Sequence, residues 1–321
     1  MKMIAYAVGK AERPIFQRFS QQYGVELTMT PERPCLENAH LTQGMDCINV
    51  LSETVITPEL WDIYHRNGVR IGITRCIGME HMNRDYAENL GIAVMNITYS
   101  PASVADYAIM MMLMVLRNIK PILLRSAGQD FTVAGLRGRE LPNMTVGIVG
   151  AGRIGTTVAS HLAGFGCKVL YWSRTPKATI AAEYRPLPEL LAQCDIVSLH
   201  LSSNDETYHF MDREKLTQMK PGSILINTSR GALVDSDALI DALESEHLSG
   251  AGLDVLDGDR NIYYSDHKNQ MLRHHQMAIL GSMPNVLLLP HMAYYTDQAL
   301  EDMVRNSLAF SSQYFIEHSR S

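Results

Sequence analysis

Arg230, Asp259 and His291 are the side chains here whose types suit acid–base work on a small anionic substrate. Each falls just past a segment that reads as a strand. An arginine can grip a carboxylate through two parallel hydrogen bonds and polarise a neighbouring carbonyl. A histidine can give a proton to that carbonyl oxygen and take it back in the reverse direction. A carboxylate behind the imidazole fixes its orientation and stabilises its protonated form. Taken singly, Arg230 reads as a surface ion-pair partner, Asp259 as part of the polar loop DGDRN, and His291 as a satisfied loop histidine. Taken together they supply what reversible hydride transfer to a 2-oxo acid requires.

Hydride transfer needs a carrier, and one stretch offers a place for it. Residues 144–175, MTVGIVGAGRIGTTVASHLAGFGCKVLYWSRT, read as strand, turn, helix, strand. Thr145–Val149 has the length and β-branched content of a buried parallel strand. Gly150, Gly152 and Gly155, with Arg153 and Ile154 between, then fit G-x-G-x-x-G. The first glycine lets the chain bend sharply, the second lets the backbone approach a pyrophosphate, and the third lets the helix pack on the strand. The helix that follows aims its free N–H groups and positive dipole end at that phosphate. A site for NAD usually carries Asp or Glu at the tip of the second strand, to accept from the ribose 2′-hydroxyl. Here the tip reads Ser173, Arg174, Thr175. A hydroxyl beside a guanidinium suits a 2′-phosphate, so the expectation is NADP(H) preferred, with NAD(H) possible.

The elements that must carry these residues alternate between strand and helix. Strands are predicted at 3–8, 47–51, 69–74 and 93–96, with helices between; Pro58 opens one helix and Gly68 lies past its end. The first hundred residues therefore read as a doubly wound unit of their own. VADYAIMMMLMVLR (104–117) reads as a buried helix in the seam between two domains, its methionines filling irregular gaps. Further strands are predicted at 195–201, 222–228, 251–256 and 286–289, and helices at 188–193, 215–219, 235–244 and 297–318. In open α/β sheets ligands sit beyond the carboxyl ends of the strands, which draws attention to 228–230, 254–259 and His291.

The 321 residues, 46% hydrophobic and 19% charged, suit a globular chain of two domains. A net charge of −6 gives no basic footprint for nucleic acid. No apolar run reaches membrane-spanning length, and 1–9 lacks the apolar core of a signal peptide. Five scattered cysteines without C-x-x-C fit a reducing cytoplasm. The twelve histidines show no zinc spacing, and His274-His275 reads as a polar loop pair, so no metal is expected.

The chain resembles the D-isomer-specific 2-hydroxyacid dehydrogenases, most of all the D-lactate dehydrogenases with their vancomycin-resistance subgroup. The likeness spans essentially the whole length. It rests on TRCIGMEHMN (74–83), YSPASVADY (99–107), the glycine turn, INTSRGALVD (226–235), GLDVLDGD (252–259) and PHMAYYT (290–296). The resemblance implies an α/β fold of two doubly wound parallel-sheet domains. A Rossmann dinucleotide-binding domain (102–296) would be inserted into a flavodoxin-like substrate domain (1–101 plus 297–321). It makes Arg230 the substrate arginine and His291 the acid/base, and puts Asp254 near the nicotinamide. Ile77 and Gly78 would hold the substrate carboxylate, and Tyr99, Tyr294 and Tyr295 would border the side-chain pocket. Arg153 and Ile154 would meet the pyrophosphate, with Leu201, Ser202, Thr207, Thr228 and Ser229 lining the rest of the cofactor cleft. It also implies a homodimer, with the apolar helix after Ser103 and parts of the cofactor domain as contact surface.

Two positions depart from the family pattern. The usual carboxylate partner of the histidine is Glu, and Asp259 is shorter by one methylene. Ser173-Arg174 replaces the acidic strand tip, as in the vancomycin-resistance subgroup. Pyruvate is the first expectation for the substrate. A larger 2-oxo acid such as 2-oxoisocaproate or phenylpyruvate stays open, as does a dinucleotide-sensing, corepressor-like role.

Overall fold

The structure is a computed structural model that describes residues 1–177, 179–260 and 262–318. The chain divides into two compact units, Met1–Ser100 with Tyr295–Ser321, and Pro101–Tyr294.

The first unit is built on a five-stranded parallel sheet. Its strands are β1 (Lys2–Ala5), β2 (Glu26–Met29), β3 (Cys47–Val50), β4 (Ile71–Thr74) and β5 (Ala93–Met95), in the order β2-β1-β3-β4-β5. That is the flavodoxin-like order. β3 and β4 are buried along their whole length, which is why they read as continuous apolar runs. β2 is an edge strand whose sequence ELTM is half exposed; without an apolar run it escapes detection from sequence. The helices are α1 (Glu12–Tyr23), α2 (Pro58–Arg66) and α3 (Arg84–Asn89), joined by the last helix, Asp297–His318. Thr57 caps α2 by accepting the Leu60 N–H, with Pro58 in the first turn. The last helix is tied in through Asn49, whose side-chain amide donates to the Ser307 hydroxyl at 2.9 Å.

The second unit carries a seven-stranded parallel sheet. In chain order its elements are α4 (Ala102–Leu116), α5 (Ile119–Ala127), β6 (Thr145–Val149), α6 (Arg153–Leu162), β7 (Lys168–Trp172), β8 (Glu183–Tyr184) and α7 (Leu187–Gln193). Then come β9 (Ile196–Leu199), α8 (Arg213–Gln218), β10 (Ser223–Asn227), α9 (Ser236–Glu244), β11 (Leu248–Leu253), α10 (His275–Ser282) and β12 (Val286–Leu288). The strand order β12-β11-β10-β9-β6-β7-β8 reverses at β6, as in a Rossmann sheet. Successive residues feed opposite faces: Ile148, Ile196 and Ile226 join the cluster under α4 and α6, while Val149, Val197 and Leu225 join the one under α7 to α10.

Two expectations are tested here. The apolar residues of α4 that are fully covered, among them Ala105, Ala108, Met111 and Met112, belong to the core of the helix's own unit. Met110 of α4 is exposed, and further uncovered apolar surface lies on α5, which has no buried residue, and on the chain after it: Leu123, Leu124, Phe131 and Val133 are all exposed. Second, His274-His275 is no loop pair, because α10 starts there. The His274 Nδ1 accepts the Met277 N–H at 3.2 Å, and its Nε2 bonds the Asp257 carbonyl at 2.7 Å. An imidazole can cap a helix, but it is not among the usual capping residues and gives little sequence signal. No single described helix is long and apolar enough to cross a membrane.

Candidate active site

The glycine turn is decided by close approach. Gly150 has φ of 105°, and a side chain there would meet the His200 carbonyl oxygen at 2.4 Å. A Cβ on Gly155 would lie 2.0 Å from the Gly150 carbonyl oxygen. Around Gly152 nothing lies within 4 Å of an added Cβ, so the second glycine faces open space at the first turn of α6. That turn has no side-chain cap, which leaves its N–H groups for an anion. Leu201 sits against Gly150, and the loop after it is fixed by Thr207, whose hydroxyl donates to the Ser202 carbonyl at 2.8 Å. At the end of β10 the Thr228 hydroxyl is buried without a protein partner. An open cradle at Gly152 and an orphaned hydroxyl at Thr228 fit a dinucleotide lying along this edge. At the tip of β7 the Ser173 hydroxyl donates to the Thr175 carbonyl at 2.7 Å, and Arg174 pairs with Glu206 at 3.2 Å, both exposed.

The acid–base residues are assembled by three loops. After β10, the buried Asn227 accepts the Ser229 N–H and donates to the Arg230 carbonyl, folding 227–230 into a tight turn. Ser229 also donates to the Leu199 carbonyl at 2.7 Å, tying that turn to β9. A Cβ on Gly231 would meet the Leu256 carbonyl carbon at 2.0 Å and the Asp257 nitrogen at 2.3 Å. Only glycine therefore lets the Arg230 loop lie on the loop that follows β11. That second loop starts at Asp254, fully buried, whose two oxygens accept the Met292 and Ala293 N–H groups at 2.9 Å each. Its carbonyl accepts the His291 N–H at 2.8 Å. Burial, against these hydrogen bonds and one from the Tyr107 hydroxyl, raises the Asp254 carboxyl to about 6. His291 is thereby held with φ of 56°, left-handed backbone that a non-glycine residue adopts only when its surroundings enforce it. The Tyr264 hydroxyl closes the third side, donating to the His291 carbonyl at 2.7 Å.

Arg230 acts on both of its expected partners. It lowers the Asp259 carboxyl, which burial first raises, and it adds to the burial that pushes His291 down to about 4. Arg230 thus lies within electrostatic reach of both Asp259 and His291. No hydrogen bond or ion pair joins Asp259 to His291, however. The Asp259 Oδ2 accepts the Leu256 N–H at 3.0 Å and so closes its own turn. The missing methylene explains this: the short side chain folds back on its backbone, as Asp does in turns. Asp257, the next carboxylate in this loop, faces His209 at 3.4 Å.

Ile77, Gly78, Tyr99 and Tyr295 belong to the first unit. Ile77 and Gly78 follow β4, where the Ile77 carbonyl accepts the Asn96 amide at 2.6 Å. The loop's base is the fully buried Arg75, bound to Glu12 at 3.1 Å, Asn49 Oδ1 at 2.8 Å and the Tyr6 carbonyl at 3.0 Å. Tyr294 belongs to the second unit, edge-on to the His291 ring at 6.3 Å. Among the described residues no group of three or more His, Cys, Asp or Glu could hold a metal ion.

The family model for the NAD-binding domain of D-isomer specific 2-hydroxyacid dehydrogenases matches residues 109–293. The chain belongs to that family. This dehydrogenase is 41% identical over 303 residues to a D-specific alpha-keto acid dehydrogenase of Enterococcus faecium, covering 94% of each chain. It is 35% identical over 312 residues to an aromatic 2-oxoacid reductase of Clostridium sporogenes, covering 96% of this chain and 94% of the other. Among solved structures, a D-lactate dehydrogenase from a Sporolactobacillus species superposes with a TM-score of 0.84 at 34% identity, over 100% of this chain and 98% of that one. The dehydrogenase takes a nicotinamide cofactor and acts on small 2-hydroxy or 2-oxo acids.

Several site residues escape sequence reasoning. Gly231 stands inside a quoted motif, but its reason, contact with a loop 25 residues on, is tertiary. Tyr107 looks like any helix residue until its hydroxyl meets Asp254. Glu206, Tyr263 and Tyr264 carry no spacing signal at all.

Proposed function

We propose that this dehydrogenase reduces pyruvate to D-lactate, reversibly, with Arg230 and His291 as catalytic residues and Asp259 behind the imidazole. The observation that carries the reading is the field of Arg230 on both Asp259 and His291, at the ends of parallel strands beside an open glycine turn. Gly150–Gly155 and Thr228 would hold a reduced nicotinamide dinucleotide, which would supply the hydride. Arg230 holds the substrate carboxylate and polarises the carbonyl, and His291 gives its proton to the carbonyl oxygen. In the free protein His291 is neutral at pH 7. Burial holds it so first and the Arg230 cation second; a substrate carboxylate on Arg230 cancels the second cause, and Asp259 turned toward the ring raises its proton affinity further.

Pyruvate is favoured by the rings of Tyr264 and Tyr294 around His291, which suit a methyl-sized group. A larger or aromatic 2-oxo acid is the second reading, favoured by the likeness to the Clostridium reductase. We assign the cofactor preference to NADPH over NADH on the strength of Arg174, whose exposed pairing with Glu206 is weak enough for a 2′-phosphate to displace. The exposed apolar residues of α5 and the chain after it support a homodimer. The deciding experiment is a kinetic matrix of pyruvate, 2-oxoisocaproate and phenylpyruvate against NADPH and NADH, with chiral analysis of the product. Pyruvate, NADPH and D-lactate should give the highest kcat/KM. A tenfold advantage of phenylpyruvate would install the second reading, and one of NADH would remove the role of Arg174.

A further inference from the structure

Asp259 poses a problem that the loop around it answers. Its carboxylate is turned onto the Leu256 N–H, not onto His291. To serve the imidazole it must leave that donor and be held elsewhere. The chain immediately after it offers a second donor. The Asp259 carbonyl accepts the N–H groups of Ile262 at 3.0 Å and Tyr263 at 3.4 Å, so the segment winds back over the acid in a helix-like turn. In such a turn residues four apart share one face. The Tyr263 hydroxyl is buried and has no protein hydrogen-bond partner. Burial first, and then the charges of Asp259 and Asp254, disfavour its ionisation, so at neutral pH it keeps a proton that it can donate. The neighbouring Tyr264 is fastened to His291 through its hydroxyl, with its ring 6.0 Å from the imidazole. Tyr264 thus meets the histidine, while the Tyr263 hydroxyl lies within electrostatic reach of Asp259 and Asp254.

We propose that Tyr263 is the positioning residue for Asp259: its hydroxyl receives the carboxylate when it swings off the Leu256 N–H and holds it against His291. The phenol supplies the reach that a one-methylene side chain lacks. An orphaned hydroxyl in a buried place is costly unless it finds a partner, and the carboxylate beside it is the acceptor that its surroundings offer. The other charged groups facing the pair are accounted for. Arg230 faces both Asp259 and His291, Asp257 and Arg260 face Asp259, and Asp254 is held by Met292, Ala293 and Tyr107. Without the hydroxyl, the carboxylate stays on the Leu256 N–H and the imidazole loses its proton at lower pH.

The inference rests on the acid–base roles proposed above, and its test separates the two. Tyr263→Phe is compared with wild type, Asp259→Asn, Asp259→Glu and the double variants, by pH profiles of 2-oxo acid reduction and by thermal melts. Tyr263→Phe should lower kcat about tenfold, the scale of one hydrogen bond to a charged group, with KM nearly unchanged. It should move the alkaline limb of the profile to lower pH and leave Tm within a degree or so of wild type. In the Asp259→Asn background it should add nothing, because there is no carboxylate left to hold. In the Asp259→Glu background it should be nearly silent, because the longer side chain reaches unaided. An unmoved alkaline limb, an additive effect on Asp259→Asn, or a Tyr263→Phe protein that fails to fold would overturn the role of Tyr263. If Asp259→Asn itself leaves the profile untouched, the acid–base assignment fails first.

Discussion

The glycine turn after β6 and the loops after β10, β11 and β12 do comparable work, each presenting groups at the carboxyl end of one sheet, yet they are built differently. The turn is local. Gly150, Gly152 and Gly155 stand within six residues; close contacts with neighbouring backbone demand the first and third, and the second leaves open space. The acid–base loops are assembled. Arg230, Asp259 and His291 are scattered over 62 residues, and Gly231, Asn227 and Asp254 join them by packing one loop on another. A local device tolerates no structural change at the two glycines that touch backbone, Gly150 and Gly155. An assembled one tolerates change wherever another loop can compensate, as Tyr263 is inferred to do for a shortened acid.

The comparison sharpens first at the imidazole. His291→Gln should cut 2-oxo acid reduction by about a thousandfold, within the usual range for a lost general acid, while cofactor binding measured by fluorescence titration is retained. Cofactor binding lost along with activity would mean that the two regions are not independent. Next come the glycines. Gly155→Ala should destabilise the fold by about 1–3 kcal/mol, because its Cβ meets backbone that cannot move aside. Gly152→Ala should leave Tm alone and weaken the cofactor about tenfold or more, its methyl standing where the pyrophosphate passes. Equal losses of Tm in both would contradict the open cradle.

A smaller effect is expected at Asp259. Asp259→Asn should shift the alkaline limb of reduction to lower pH, and Asp259→Glu should keep most activity. The smallest effect is on stability against pH. The Asp254 carboxyl lies at about 6 in the fold against 3.8 unperturbed, so the stability it contributes is present below pH 4 and lost as pH rises through 6. His291, at about 4 against 6.5, runs the other way, its share being lost as pH falls from 6.5 toward 4. Melting curves between pH 4 and 7 should therefore be nearly flat in wild type. They should rise with pH in Asp254→Asn, which keeps only the histidine's share. A flat curve in that variant would place one of these groups in water.

The alternation of strand and helix, the glycine turn, the Pro58 start of α2, and the strand-end positions of Arg230 and His291 were legible because each depends on neighbours a few residues away. Hydrophobic period, turn chemistry and capping are all short-range. The edge strands β2 and β8 and the His274-capped α10 were not, since each lacks the apolar run or the capping residue that announces an element. What only the tertiary structure decided is which groups face which: that Asp259 closes its own turn, that Asp257 turns to His209, that Arg174 meets Glu206, and that Tyr264 fastens the backbone of His291. Such pairings depend on the packing of loops dozens of residues apart. A one-methylene difference in reach can redirect a carboxylate, and no spacing along the chain records it.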